Sequence, residues 1–298
     1  MNLYYYTLFW VCIAGLCLGS FYNVVILRSL SNESIVFPAS KCPKCEHPLY
    51  WWHNIPVLSY IILRGKCYFC KEKISIQYPI IELITMLLFA SAFIKYGFSY
   101  TTLFIMFWLS GLIIMTVTDL KEKIVDCNIA IALGISGTIF CTLQAGLNGF
   151  ISSILGLLAG ALIIEIIARI GYIFVGSRAM GEGDTYVAAA LGAMFGIQGI
   201  ISTLIYAFLA SMIFIIPVFL YNSYKNNEKT ICILSVLFIL SILIFETVIQ
   251  NYFSLAFVVL TGIGLAISIL KSLKNTKRGN YLPYVPALCI GALFFVFI

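Results

Sequence analysis

Long apolar runs separated by short polar stretches dominate this chain, and their lengths predict helices. Runs near the ~20 residues needed to cross a bilayer lie at about 3–27, 79–96, 100–118, 128–147, 150–175, 185–199, 200–221, 230–249, 252–270 and 281–298. The runs are uninterrupted, whereas barrel strands alternate in polarity, so the pattern predicts an all-α, polytopic transmembrane bundle of about eight to ten helices. The sixth and seventh runs are hard to separate. One polar stretch, 28–78, is long enough for a small extramembrane domain. The organisation reads as a first helix at 1–27, a loop domain at 28–78, a core at 79–227, two extra helices at 228–275 and a last helix at 276–298. No clear internal repeat is visible.

Composition agrees with this picture. The 298 residues are 62% hydrophobic and 10% charged, with mean hydropathy +1.04, against about 25% charged for a soluble domain. The net charge of +6 raises nucleic acid as a partner, and the placement of the charges argues against it. With 28–78 in the cytosol and helices alternating, nearly every Lys and Arg falls on the cytosolic side and only Lys95 falls outside, as the positive-inside rule requires. Both termini then lie outside. The first run is not a cleavable signal, because it lacks a basic start and Arg28 follows it.

Four of the ten cysteines have ligand spacing: Cys42-Pro-Lys-Cys45, then 21 residues, then Cys67-Tyr-Phe-Cys70. Each CxxC presents two thiolates from one tight turn, and two turns complete a closed tetrahedral zinc site with a structural role. Lys41, Lys44, Lys66 and Lys71 are expected to lower the thiol pKa values. A cytosolic setting disfavours two disulfides instead. A segment of this size has little core and benefits from such a staple. His47 and His53 are alternative ligands, or ordinary surface or interface histidines. Trp51 and Trp52 read as anchors at the membrane surface.

The same topology brings Asp119, at the end of the third run, and Asp184, in Gly181-Glu182-Gly183-Asp184, to one membrane face. Two carboxylates that share a proton divide into base and acid. The bland readings are a solvated loop for Asp119 and an N-cap for Asp184. Glycines beside Asp184 allow a substrate backbone to approach. Glu165 and Glu246 lie within apolar runs, where acids default to a functional hypothesis.

These residues resemble the type IV prepilin peptidases, membrane aspartyl proteases of the GxGD kind. Gly19-Ser20-Phe21-Tyr22-Asn23 resembles the first-helix signature of the family. The stretch from Cys42 through Trp51, Asn54-Ile55-Pro56, Ser59-Tyr60, Cys67, Cys70, Tyr78-Pro79 and Glu82 resembles its cytosolic block. Ala179-Met180-Gly181-Glu182-Gly183-Asp184 resembles its second catalytic motif, and Pro283-Tyr-Val-Pro286 resembles the start of its last helix. The resemblance implies Asp119 and Asp184 as the catalytic pair, with Gly181, Gly183 and Asn23 near substrate. It implies removal of the basic leader of prepilins or pseudopilins at the cytosolic face of the bacterial inner membrane. In many members S-adenosylmethionine-dependent methylation of the new N-terminus follows, for which Glu82 is the candidate residue. The implied partners are the prepilin or pseudopilin substrate and membrane lipid.

Three departures stand out. Ile124-Val125-Asp126-Cys127-Asn128 lacks the proline usual after the first aspartate, which leaves Asp126 a secondary candidate. Tyr186 stands where the family commonly has lysine, and 228–275 adds two apolar runs. A transporter or channel with a zinc-bearing loop predicts instead that Glu165 and Glu246 carry the function. A non-catalytic assembly factor predicts that neither aspartate matters.

Overall fold

A computed structural model describes residues 3–31, 33–34, 36–37, 39–175, 180–225 and 284–297, with 233–235, 237, 240, 257, 260–261 and 264. The extra helices expected at 228–275, Glu246, and the start of the last helix before Tyr284 lie outside the described residues apart from those isolated positions. The elements are α1 (Leu3–Ser31), a 3-10 turn (Trp51–Asn54), α2 (Leu58–Ile62), α3 (Gln77–Tyr96), α4 (Tyr100–Glu122), α5 (Cys127–Val175), α6 (Glu182–Lys225) and α7 (Val285–Phe297). Five of these are long and apolar enough to cross a bilayer. The all-α polytopic architecture follows.

Two of the five are broken. α5 leaves helical geometry at Ala145 and Gly146, and Ser153 Oγ donates to Thr138 Oγ1 at 2.9 Å. Fifteen residues of straight helix would hold those atoms about 22 Å apart, so the chain turns back there. α6 breaks at Gly196, φ 70°. The Tyr284 side chain reaches both Ser211 and the neighbourhood of Asp184, so α6 also turns back. The expected pairs 128–147 with 150–175 and 185–199 with 200–221 are the limbs of these two elements.

The limbs pack through small residues. A methyl group on Gly156 would stand 2.3 Å from the Gly192 carbonyl oxygen, one on Gly192 would stand 2.0 Å from that of Gly156, and one on Gly160 would stand 2.2 Å from that of Ala188. Positions 156/160 and 188/192/196 repeat every four residues on facing helices, the small-residue stripe that lets membrane helices approach closely. Gly15 and Gly19 do the same for α1 against Met86 and Glu82 of α3. Gly192→Ala is expected to force the two helices apart, costing about 1–3 kcal/mol as overpacking does. It should read as a lower unfolding temperature in detergent, whereas an unchanged midpoint would mean the crossing is loose.

The core holds Trp108, Leu112, Met115, Leu133, Leu191, Met194 and Leu288, all buried. α7 joins the two helices that carry the aspartates. Its Cys289 thiol meets the Leu112 carbonyl of α4 at 3.6 Å, and Gly291 lies against Thr203 and Ala207 of α6. A cavity of about 500 Å³ sits at the helix breaks, lined by Trp108, Phe140, Gln144, Asn148, Phe195 and Gly196. It faces the first half of α4, away from Asp119 in the last turn of that helix.

Candidate active site and cysteine knuckle

α4 is capped at Ser99, whose Oγ accepts from the Thr102 N–H, and it runs through an apolar stretch into Thr118-Asp119-Leu120-Lys121-Glu122. It ends at Lys123, which adopts the left-handed conformation (φ 56°) and donates its N–H to the Asp119 carbonyl. This is the αL cap usually given to glycine. Asp119 therefore stands one turn inside the helix rather than at its end, and it is 5% exposed. Its Oδ2 accepts the backbone N–H of Val285 at 3.2 Å. The carboxylate thus sits at the N-terminus of α7, where helix N–H groups are unpaired and favour negative charge.

Asp184 is also 5% exposed. It is not an N-cap. It is the third residue of α6, and its Oδ2 accepts the Gly181 N–H at 2.9 Å, the backward half of a capping box. Asp119 is near enough for its charge to act on Asp184. Among the described residues each carboxylate has one hydrogen-bonded oxygen, and its Oδ1 is left for water or another ligand. Two carboxyl groups brought together under cover from solvent cannot easily both ionise, which is the arrangement acid–base chemistry on a bound water needs.

The two glycines beside Asp184 have different surroundings. A methyl group on Gly183 would stand 2.6 Å from Cγ2 of Val125, so Gly183 makes room for the loop that follows Asp119. Gly181 is open, with the Asp184 carboxylate as its near neighbour. Asp126 accepts the Asn128 N–H at 2.9 Å and caps α5. Asn23 is fully buried. Its amide donates to the Gly19 and Tyr78 carbonyls at 3.2 Å each and accepts from Gln77, so its hydrogen bonds tie α1 to α3 and reach neither aspartate. Glu165 pairs with Arg169 at 3.0 Å on the same helix face.

Glu82, buried in α3, accepts the Val57 N–H at 2.8 Å. Val57 has φ 59° and ψ −48°, and the Leu58 N–H bonds the Pro56 carbonyl. This is the strained kind of γ-turn, rare for a β-branched residue. Glu82 pins the Ile55-Pro56-Val57 turn to the bundle. The contacts from Val57 and Val285 were invisible in the sequence because both come from backbone N–H groups, which carry no residue signature.

The cysteine segment folds as a repeat that its letters hide. Bonds from the Cys42 N–H to the His47 carbonyl, Glu46 to Cys42, and Leu49 to Ser40 recur 25 residues later as Cys67 to Glu72, Lys71 to Cys67, and Ile74 to Gly65. The bridge Lys41–Pro48 recurs as Lys66–Lys73, and Glu46 and Lys71 share positive φ. All four Sγ atoms lie within 4.8 Å of one another, with Cys42 and Cys70 at 3.9 Å. Thiolates bound tetrahedrally at ~2.3 Å stand about 3.8 Å apart, so the donor set fits a metal ion.

Burial pushes the Cys67 thiol up, but backbone N–H groups of Cys70 and Phe69 and the thiols of Cys70 and Cys42 outweigh it and bring it to about 7. Cys70 accepts a bond from the Glu72 backbone, which favours its thiolate, yet burial and the three other sulfurs leave it at about 11. The lysines are not the cause of either shift. One thiolate forms readily, and four need a cation among them. His47 and His53 are not in the cluster. They join a ring stack, with His47 4.4 Å from Phe69 and His53 3.9 Å from Trp52. Trp51 alone of the two tryptophans is fully exposed, at 80%.

Residues 13–96 match the family profile "Bacterial Peptidase A24 N-terminal domain", and residues 105–216 match "Type IV leader peptidase family". Among the relatives that carry the name "Prepilin leader peptidase/N-methyltransferase" are three from different bacteria. The one from Neisseria gonorrhoeae is 36% identical over 63% of this chain and 74% of its own length. The one from Bacillus subtilis (strain 168) is 34% identical over 62% and 73%. The one from Myxococcus xanthus (strain DK1622) is 34% identical over 65% of this chain, which spans 58% of that relative. No solved structure matches the chain. The two profiles together take in the knuckle and both aspartates, and the chain belongs to the type IV leader peptidase family.

Proposed function

We propose that this protein is a prepilin leader peptidase whose catalytic pair is Asp119 and Asp184. The observation that carries the reading is the meeting of two buried carboxylates, from α4 and α6, in a chain of this family. A water between them loses a proton to the ionised carboxylate as its oxygen attacks the leader carbonyl. The protonated carboxyl gives its proton to the carbonyl oxygen. Collapse of the tetrahedral diol breaks the C–N bond, and the leaving nitrogen takes a proton from the pair.

The substrate is the basic leader of a prepilin or pseudopilin, with its apolar helix among those of the protein. The Lys and Arg asymmetry supports a bacterial inner membrane protein with the knuckle and the carboxylates on the cytosolic side. Cys42, Cys45, Cys67 and Cys70 would hold a structural zinc ion. When bound, S-adenosylmethionine supplies an electrophilic methyl group for the new N-terminal amine. The Glu165–Arg169 pair leaves that acid a structural explanation, which favours this reading over a transporter.

The test is co-expression with prepilin-like substrates. A leaderless product, with or without one added methyl group on its N-terminus by mass spectrometry, is expected. Uncut substrate across several prepilins would move the weight to an assembly factor. Val285→Pro tests the support of Asp119, since it deletes the N–H while proline suits the first turn of a helix. Loss of a hydrogen bond to a charged group costs about 1.5–3 kcal/mol, so kcat should fall about 10- to 100-fold with KM little changed. An unchanged kcat would remove Val285 from the mechanism.

A further inference from the structure

His53 is 7% exposed, and among the described residues its Nε2 has no hydrogen-bond partner. The tautomer follows from the other nitrogen. The Tyr50 N–H points at Nδ1 from 3.2 Å, so Nδ1 is the acceptor and Nε2 carries the hydrogen. Burial pushes the His53 pKa down, which keeps the ring neutral. A buried N–H donor left unmatched costs free energy, and such an atom in a folded protein calls for an explanation.

Aromatic rings surround His53. Rings of Trp52, Tyr50, Tyr68 and Phe69 stand 3.9, 5.4, 5.4 and 5.9 Å from the His53 ring. Tyr50 and Tyr68 are 54% and 47% exposed, so two of the rings around His53 are open to solvent. Lys71 Nζ lies 5.1 Å from the Tyr68 ring centroid. The site thus offers flat faces for stacking, one N–H donor between them, and a cation at the edge. A planar heterocycle with a ring-nitrogen acceptor and a carboxylate on a short arm matches all three features. Adenine supplies the acceptors, and bases stack on aromatic side chains.

We propose that the ring cluster around His53 seats the adenine of S-adenosylmethionine, with its carboxylate toward Lys71. The inference rests on the methyltransferase reading. His53 is a binding residue here, and the turn that holds it is continuous with Val57, which Glu82 anchors.

The test is calorimetric binding of S-adenosylhomocysteine to the full-length protein in detergent, with adenosine as competitor. His53→Asn keeps an acceptor for the Tyr50 N–H and removes the Nε2 donor. Affinity should drop about five- to tenfold. His53→Gln returns a donor near Nε2 and should recover part of it. Tyr68→Ala, at a half-exposed ring, should weaken binding tenfold or more, and it carries the test if His53→Asn exposes the cysteine thiols to alkylation. Wild-type affinity in both His53→Asn and Tyr68→Ala would place the ligand elsewhere and leave the methyltransferase reading standing. No binding by the wild type would remove that reading and the proposal with it.

Discussion

Asp119→Asn and Asp184→Asn are each expected to reduce leader cleavage by about 100- to 10,000-fold, the span for loss of a positioned acid or base. Asparagine keeps the shape and an accepting oxygen, so the bonds from the Val285 and Gly181 N–H groups survive and the helices stay in place. What disappears is the exchangeable proton between the two carboxyl groups. The double variant should be no worse than the weaker single one, because residues that act as a unit are grossly non-additive. The measurement is the ratio of uncut to cut prepilin at matched membrane levels. Asp126→Asn belongs beside them as a control: its carboxylate caps α5, asparagine caps a helix about as well, and both stability and cleavage should stay near wild type. Cleavage within about twofold of wild type in either single variant would break the paired mechanism.

Cys67→Ser is expected to empty the knuckle of metal and unfold it. Between Ser40 and Gln77 the chain has only a four-residue 3-10 turn and the five-residue α2, too little to bury a core. Structural zinc supplies about 10–16 kcal/mol in small domains of this kind, far more than the knuckle's few hydrogen bonds. Metal per chain by elemental analysis should fall to near zero, with new protease cuts within 33–76. A chelator should do the same to the wild type. Acid should as well, and the sign follows from the thiols. Cys67 takes up its proton as pH falls through about 7 and Cys70 already holds one at neutral pH, so competition by protons for the site grows as pH falls. A wild-type protein without metal whose four thiols alkylate freely would overturn the assignment. Loss of Val57 positioning should follow unfolding, because the turn that Glu82 holds hangs from this segment.

How much of this was readable in the letters depends on what each feature rests on. The helices were legible because a lipid-exposed backbone has few options, and apolar runs of the right length announce them. Their pairing within α5 and α6 was half legible. Separate runs were visible at 128–147 and 150–175, but the break at Gly196, one residue with φ 70°, left no polar gap between the sixth and seventh. The four clustered cysteines were legible from spacing. Their 25-residue repeat was not, since it lies in backbone bonds and positive φ angles at Glu46 and Lys71 with unlike side chains above them.

Hydropathy, ligand spacing and charge placement act over a few residues, and an all-helical membrane architecture, four thiols able to share one ion, and two acids at the ends of apolar runs follow from them. Folding in three dimensions places Asp119 under the first N–H of α7, Val125 against Gly183, Asn23 between α1 and α3, and His53 among rings with a donor to spare. Those depend on atoms up to 166 residues apart along the chain, and on backbone groups that every residue shares. Packing brings them together, and one-dimensional pattern has no term for it.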